Sequence, residues 1–145
     1  MISLVEETTG IQIFELSGVE ESWVTFFAVR RWFGWSAGQI LNFDIGGGST
    51  ELVLGAGGEV LAQYSMDVGS VRMKERHLAQ DPPTAEEITA ARTDVESHLN
   101  TANETVDLSR TRTIVGVAGT ITSVTAEALG LAHYDSEVIH GATLP

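Results

Sequence analysis

Three consecutive glycines, Gly46, Gly47 and Gly48, interrupt an otherwise apolar stretch running from Ile40 to Leu54. The apolar run that ends at Asp44 and the one that resumes after Glu51 read as strand, tight turn, strand. Three residues without a Cβ let successive backbone N–H groups point into one concavity and let a large anion approach the main chain. Two carboxylates flank the turn, and they would repel a phosphate unless a divalent cation sat between them. The other reading is a plain hairpin whose glycines serve turn geometry alone. Against it stand the length of the turn, the Ser49 and Thr50 hydroxyls, and the acid on each side.

The run Asp44-Ile45-Gly46-Gly47-Gly48-Ser49-Thr50-Glu51-Leu52-Val53 resembles the signature of the Ppx/GppA phosphatases. These exopolyphosphatases and guanosine pentaphosphate phosphohydrolases belong to the actin, sugar kinase and heat-shock ATPase superfamily. A second element lies upstream. Ser17-Gly18-Val19-Glu20 fits a helix capping box, which gives Glu20 a structural task, and Glu21 is accounted for as a first-turn carboxylate favoured by the helix dipole. Ser17 to Ser22 is also similar to the family's S-G-x-E-E-A element, with Ser22 in place of Ala. That resemblance implies a catalytic-base role for Glu21. Gly69 to Arg76 is similar to the family's G-a-V-R-x-x-E-R run, with Arg72, Glu75 and Arg76 matching. Gly116 to Thr120, Leu129 to Leu131, Tyr134-Asp135 and Ile139 to Gly141 resemble further family signatures in order.

The chain of 145 residues carries 8 basic and 20 acidic side chains, for a formal charge of -12. That balance argues against nonspecific binding to nucleic acid or anionic membranes. It also opposes a polyanionic substrate, so cationic help is expected from metal ions and from residues outside the segment. Without cysteine there is no disulfide, thiol nucleophile or thiolate ligand. No apolar stretch approaches the roughly 18 residues of a membrane span, and no secretory leader opens the chain, so a cytoplasmic protein is expected.

Taken in order, residues 1–10 read as an acidic strand or loop, and the alternation of Ile11, Ile13 and Leu16 predicts a short strand. The helix capped by Ser17 runs to Gly34, with Trp23, Phe26, Phe27 and Arg30 at packing spacing. Residues 36–38 read as a loop. Gly57 and Gly58 turn the chain into a third antiparallel strand over 59–66. A helix opening at Gly69 and Ser70 offers free N–H groups and the Arg72 guanidinium to an anion; an ordinary ion pair on a solvated face is the alternative for Glu75 and Arg76. Asp81-Pro82-Pro83 breaks the chain, and a capping box at Thr84 starts an amphipathic helix over 84–102 with His98 facing solvent. Thr113 to Ala118 reads as a fully buried strand of a parallel sheet. Gly119 and Thr120 follow as a second glycine turn, then a helix from Ile121 to Leu129 closed by Gly130. His140 reads as a turn residue, with a place behind a ligand as the alternative.

The expected fold class is α/β, an RNase H-like (actin-like ATPase) lobe with a mixed sheet, incomplete at both ends. Residues 1–38 are expected to be the tail of a first lobe and 39–145 most of a second. The resemblance implies a hydrolase releasing orthophosphate from the end of polyphosphate or from guanosine pentaphosphate. In that scheme Glu21 is the base, Asp44 and Glu51 hold magnesium or position water, and Gly46, Gly47, Gly48, Ser49 and Thr50 cradle a phosphate. Arg72 adds a cation there, and Gly119 and Thr120 hold distal phosphates. The isolated segment is expected to be inactive, and a homodimer is left open. The rival readings are an ATP-binding chaperone or filament domain of the same superfamily and a catalytically silent interaction module.

Overall fold

The computed structural model describes residues 2–14, 16–34, 38–111 and 113–144. Its centre is a four-stranded mixed sheet in the order β3-β2-β1-β4. Strands β1 (Gln39–Ile45), β2 (Thr50–Ala56) and β3 (Glu59–Met66) form an antiparallel meander, and β4 (Thr113–Val117) lies parallel to β1. Helices α1 (Ile2–Thr9) and α2 (Gly18–Phe33) precede the sheet, α3 (Ser70–His77) and α4 (Ala85–Thr105) fill the crossover, and α5 (Ala118–Ala128) and α6 (Ser136–Ile139) follow.

The two faces of the sheet differ because side chains alternate along each strand. Leu41, Leu52 and Leu54 point to one face, where Met66, Val68, Met73, Ala102 and Val106 complete the main core under α3 and α4. Ile40, Asn42 and Asp44 point to the other, opposite Gly55, Val53 and Glu51 in the β1–β2 register. Helix α2 lies across this second face, against the sheet itself. Its docking depends on Gly55: a Cβ there would lie 2.1 Å from the Phe26 ring and 2.8 Å from the Glu59 carbonyl. Phe26 fills that notch and is fully buried, worth about 1.5–3 kcal/mol of apolar transfer. Both bonds of the Ser17–Glu20 capping box are made, and Gly34 ends the helix.

Several expectations need correction. Residues 2–9 are helical, not strand or loop; Thr8 and Thr9 hydroxyls donate back to the Leu4 and Val5 carbonyls, and Gly10 takes a positive φ at the end. The stretch around Ile11 has no regular secondary structure and joins no sheet, and Ile11, Phe14 and Leu16 are exposed; Glu15 lies outside the described residues. An alternating pattern becomes a strand only where a partner edge is available. Strand β4 lies at one edge of the sheet, and with Ile114 64% exposed it is not fully buried. Helix α5 starts at Ala118, three residues early, which puts Gly119 and Thr120 inside its first turn. His98 is half-buried and faces Asp94 on its own helix, not open solvent. Of the loop expected over 36–38, residues 36 and 37 lie outside the described residues. The third strand and the Thr84 capping box fall where expected. No described helix is long and apolar enough to cross a membrane.

Candidate active site

The β1–β2 turn is held from beneath by α3. Ser70 N–H donates to the Gly46 carbonyl, and the Val71 and Arg72 N–H groups both donate to the Gly47 carbonyl, each at 3.0 Å. Arg72 Nε–H donates to the Gly48 carbonyl at 2.7 Å. This close approach requires glycine at 69, where a Cβ would stand 2.5 Å from the Gly47 carbonyl group. Of the anion site expected at the start of α3, the Ser70, Val71 and Arg72 backbone N–H groups are engaged by the turn, while the half-exposed Arg72 guanidinium bonds Gly48 and, at 2.8 Å, Asp67. The reason is hydrogen bonding across the fold, since a helix N-terminus with unspent donors this close to the Gly46 and Gly47 carbonyls binds them.

In a trans peptide the carbonyl and the following N–H point in opposite directions. With the carbonyls of Gly46, Gly47 and Gly48 drawn toward α3, the N–H groups of Gly47, Gly48 and Ser49 face the other way, and none of them is engaged among the described residues. Thr50 is buried, its hydroxyl donating to the Val68 carbonyl at 2.7 Å, so it fastens the turn.

Carboxylates gather at the same end of the sheet. Asp44 and Glu51 are paired across β1 and β2 and share the face that α2 covers. Burial pushes the Asp44 carboxyl above its ordinary range, and the nearby charges of Glu51 and then Glu21 push it further. Glu21, in the first turn of α2, is near enough for its charge to be felt at Asp44. Glu51 is buried and accepts a hydrogen bond from the Ser65 hydroxyl at 2.9 Å. Val117 lies beside Asp44 in the parallel register, so α5 starts at the same sheet end as the glycine turn. At that start Ala118 holds φ 72°, a left-handed value uncommon for a residue with a Cβ. Gly119 is exposed beside it.

A raised carboxyl among like charges is a site short of positive charge, and its hard oxygen donors suit magnesium. Among the described residues no cluster of three or more His, Asp or Glu is placed to hold a metal ion. A cation between Asp44 and Glu51 would complete its shell with water and phosphate oxygens, as magnesium commonly does.

Sequence reasoning passed over Ser65, Asp67 and Asn42. Ser65 stands opposite Glu51 in the β2–β3 register, a relation readable once the strands are aligned. Asn42 is 1% exposed beside Asp44, and its amide has no partner among the described residues; its only signal is polarity inside an apolar strand. Asp67 gives no signal in sequence, because its role depends on the fold bringing two arginines to it.

A mixed sheet with an acid-flanked glycine turn and a helix start at one end defines an actin-like ATPase-type α/β protein. The Ppx/GppA phosphatase family model matches residues 1–142, and the chain belongs to that family. Exopolyphosphatase 2 of Mycobacterium tuberculosis is 42% identical over 130 residues, covering 90% of this chain and 40% of that protein. A solved exopolyphosphatase-like protein superposes with a TM-score of 0.88 at 41% identity, covering 99% of this chain and 47% of the other. The Aquifex aeolicus family member superposes at 0.78 with 31% identity, covering 99% and 45%. The chain thus spans less than half the length of these relatives.

Proposed function

We propose that this chain supplies one wall of an exopolyphosphatase-type active site, which releases orthophosphate from the end of polyphosphate by attack of water. The carrying observation is the Asp44–Glu51 pair across β1 and β2, with the charge of Glu21 felt at Asp44, beside a turn whose N–H groups face away from α3. Such transfer asks for positioning and charge neutralisation more than for covalent chemistry. The N–H groups of Gly47, Gly48 and Ser49, with the Ser49 hydroxyl, receive the terminal phosphate. Glu21, exposed on α2, takes the proton of the attacking water. Asp44 and Glu51 would hold magnesium, which when bound neutralises charge on the phosphate oxygens. Gly119 and Thr120, at the free start of α5, receive phosphates further along the chain.

The exopolyphosphatase names of the relatives support polyphosphate as the substrate. Guanosine pentaphosphate carries the same kind of terminal anhydride and belongs in the same assay. Family membership draws support away from the chaperone reading. A silent interaction module is tested by assaying this segment beside the intact protein.

The test is phosphate release from polyphosphate with magnesium. In the intact protein Glu21→Gln should lower kcat about 10²- to 10⁴-fold with KM nearly unchanged. Wild-type turnover in that variant removes the base assignment.

A further inference from the structure

The reading of the glycine turn as a phosphate cradle leaves open what aims its N–H groups, since three glycines in a row allow each peptide plane to rotate at little cost. Two of the three planes are set by helix backbone, through Ser70 onto Gly46 and through Val71 and Arg72 onto Gly47. The third, between Gly48 and Ser49, is held by a side chain: Arg72 Nε–H to the Gly48 carbonyl. That guanidinium is half-exposed, and its Nη1 is held by Asp67 Oδ1 at 2.8 Å. The other oxygen of Asp67 takes Arg76 Nη2 at 2.9 Å, and Arg76 Nη1 is anchored on Asp94 of α4 at 2.6 Å. A carboxylate between two guanidinium forks has one orientation that satisfies both.

We propose that Asp67 is a positioning residue for the phosphate cradle: it fixes the Arg72 fork so that Nε–H holds the Gly48 carbonyl, and thereby turns the Ser49 N–H toward the phosphate. Lysine cannot replace Arg72 in this arrangement, because an ammonium lacks the rigid pair of donors that spans a carbonyl and a carboxylate at once. Asp67 and Arg72 act as one device, so removing either member should remove the whole effect. Asp94 holds the far arm of the chain, one step removed from the Arg72 fork.

This inference rests on the phosphohydrolase reading, and its test separates the two. The intact protein is compared with Asp67→Asn, Arg72→Lys, the double variant and Asp94→Asn. Amide and carbonyl NMR shifts at Gly48 and Ser49 are measured alongside phosphate release and thermal unfolding. Asp67→Asn and Arg72→Lys should each lower kcat about tenfold and move the Gly48 carbonyl and Ser49 amide resonances, with the β2 and β3 resonances in place. The double variant should be no worse than either single one, since coupled partners are not additive. Asp94→Asn, which loosens only the Arg76 arm, should lower kcat and move these resonances less than Asp67→Asn does; an equal or larger effect overturns the proposal. Unmoved Gly48 and Ser49 resonances in Asp67→Asn, or losses that multiply in the double variant, overturn the proposal. If the unsubstituted protein releases no phosphate, the phosphohydrolase reading falls while the resonances still decide whether Asp67 sets this peptide plane.

Discussion

At Asp44 two unfavourable effects coincide, partial burial and the negative charge of Glu51 and Glu21. Both favour the protonated carboxyl, so the native state binds this proton more tightly than the unfolded chain. The sign follows from linkage: Asp44 gives up stability as pH rises from its ordinary value through its raised pKa, and regains it only as pH falls back through that same window. Asp44→Asn should therefore raise the melting temperature at neutral pH while weakening the magnesium dependence of phosphate release. A melting temperature that drops, or an unchanged magnesium titration, contradicts this account. Asp94 has the opposite sign. The hydrogen bond from His77, then the one from Arg76, holds its carboxyl down at about 2 against an ordinary 3.8. Its contribution is complete above the ordinary value and is lost as pH falls from about 4 toward 2. Denaturant unfolding across that window should show a steep acid limb in the parent protein and a shallower one in Asp94→Asn.

Among the elements, the glycine turn, α2 and the three-strand meander could be read from sequence because their causes are local. Gly46, Gly47 and Gly48 demand a turn wherever they occur, and the Ser17 and Thr84 boxes close within four residues. The α3 contacts were not legible, since the donors of Ser70 and Arg72 meet acceptors 24 residues earlier in the chain. Nor was the fate of Ile11 and Ile13, whose alternation says nothing about which edge will receive it. The docking of α2 tests how far the acid site depends on packing. Gly55→Ala should destabilise the protein by about 1–3 kcal/mol through overpacking, because the added methyl collides with the Phe26 ring and the Glu59 backbone. Adding Phe26→Leu should return part of that loss in denaturant unfolding. No recovery would mean that the Glu59 carbonyl, not the ring, sets the limit.

Across the whole molecule the charge of -12 is hard to reconcile with a polyanion. Repulsion between like charges is screened by salt, so in the absence of divalent ions this chain's affinity for short polyphosphate should rise with monovalent salt, the reverse of a basic anion binder. Binding that weakens with salt would point to a local cationic patch that outweighs the net charge. The ring of Phe26 in its notch bears on turnover as well as stability. Glu21 lies five residues before that ring, about 7.5 Å along the helix axis. If the notch serves as a pivot, a tilt of about 10° swings the acid by roughly 1.3 Å, a displacement of the size that can cost a hundredfold in rate. Whatever presses on the outward side of α2, including its half-exposed Trp23 and Phe27, then has a lever on the water-activating group without touching substrate.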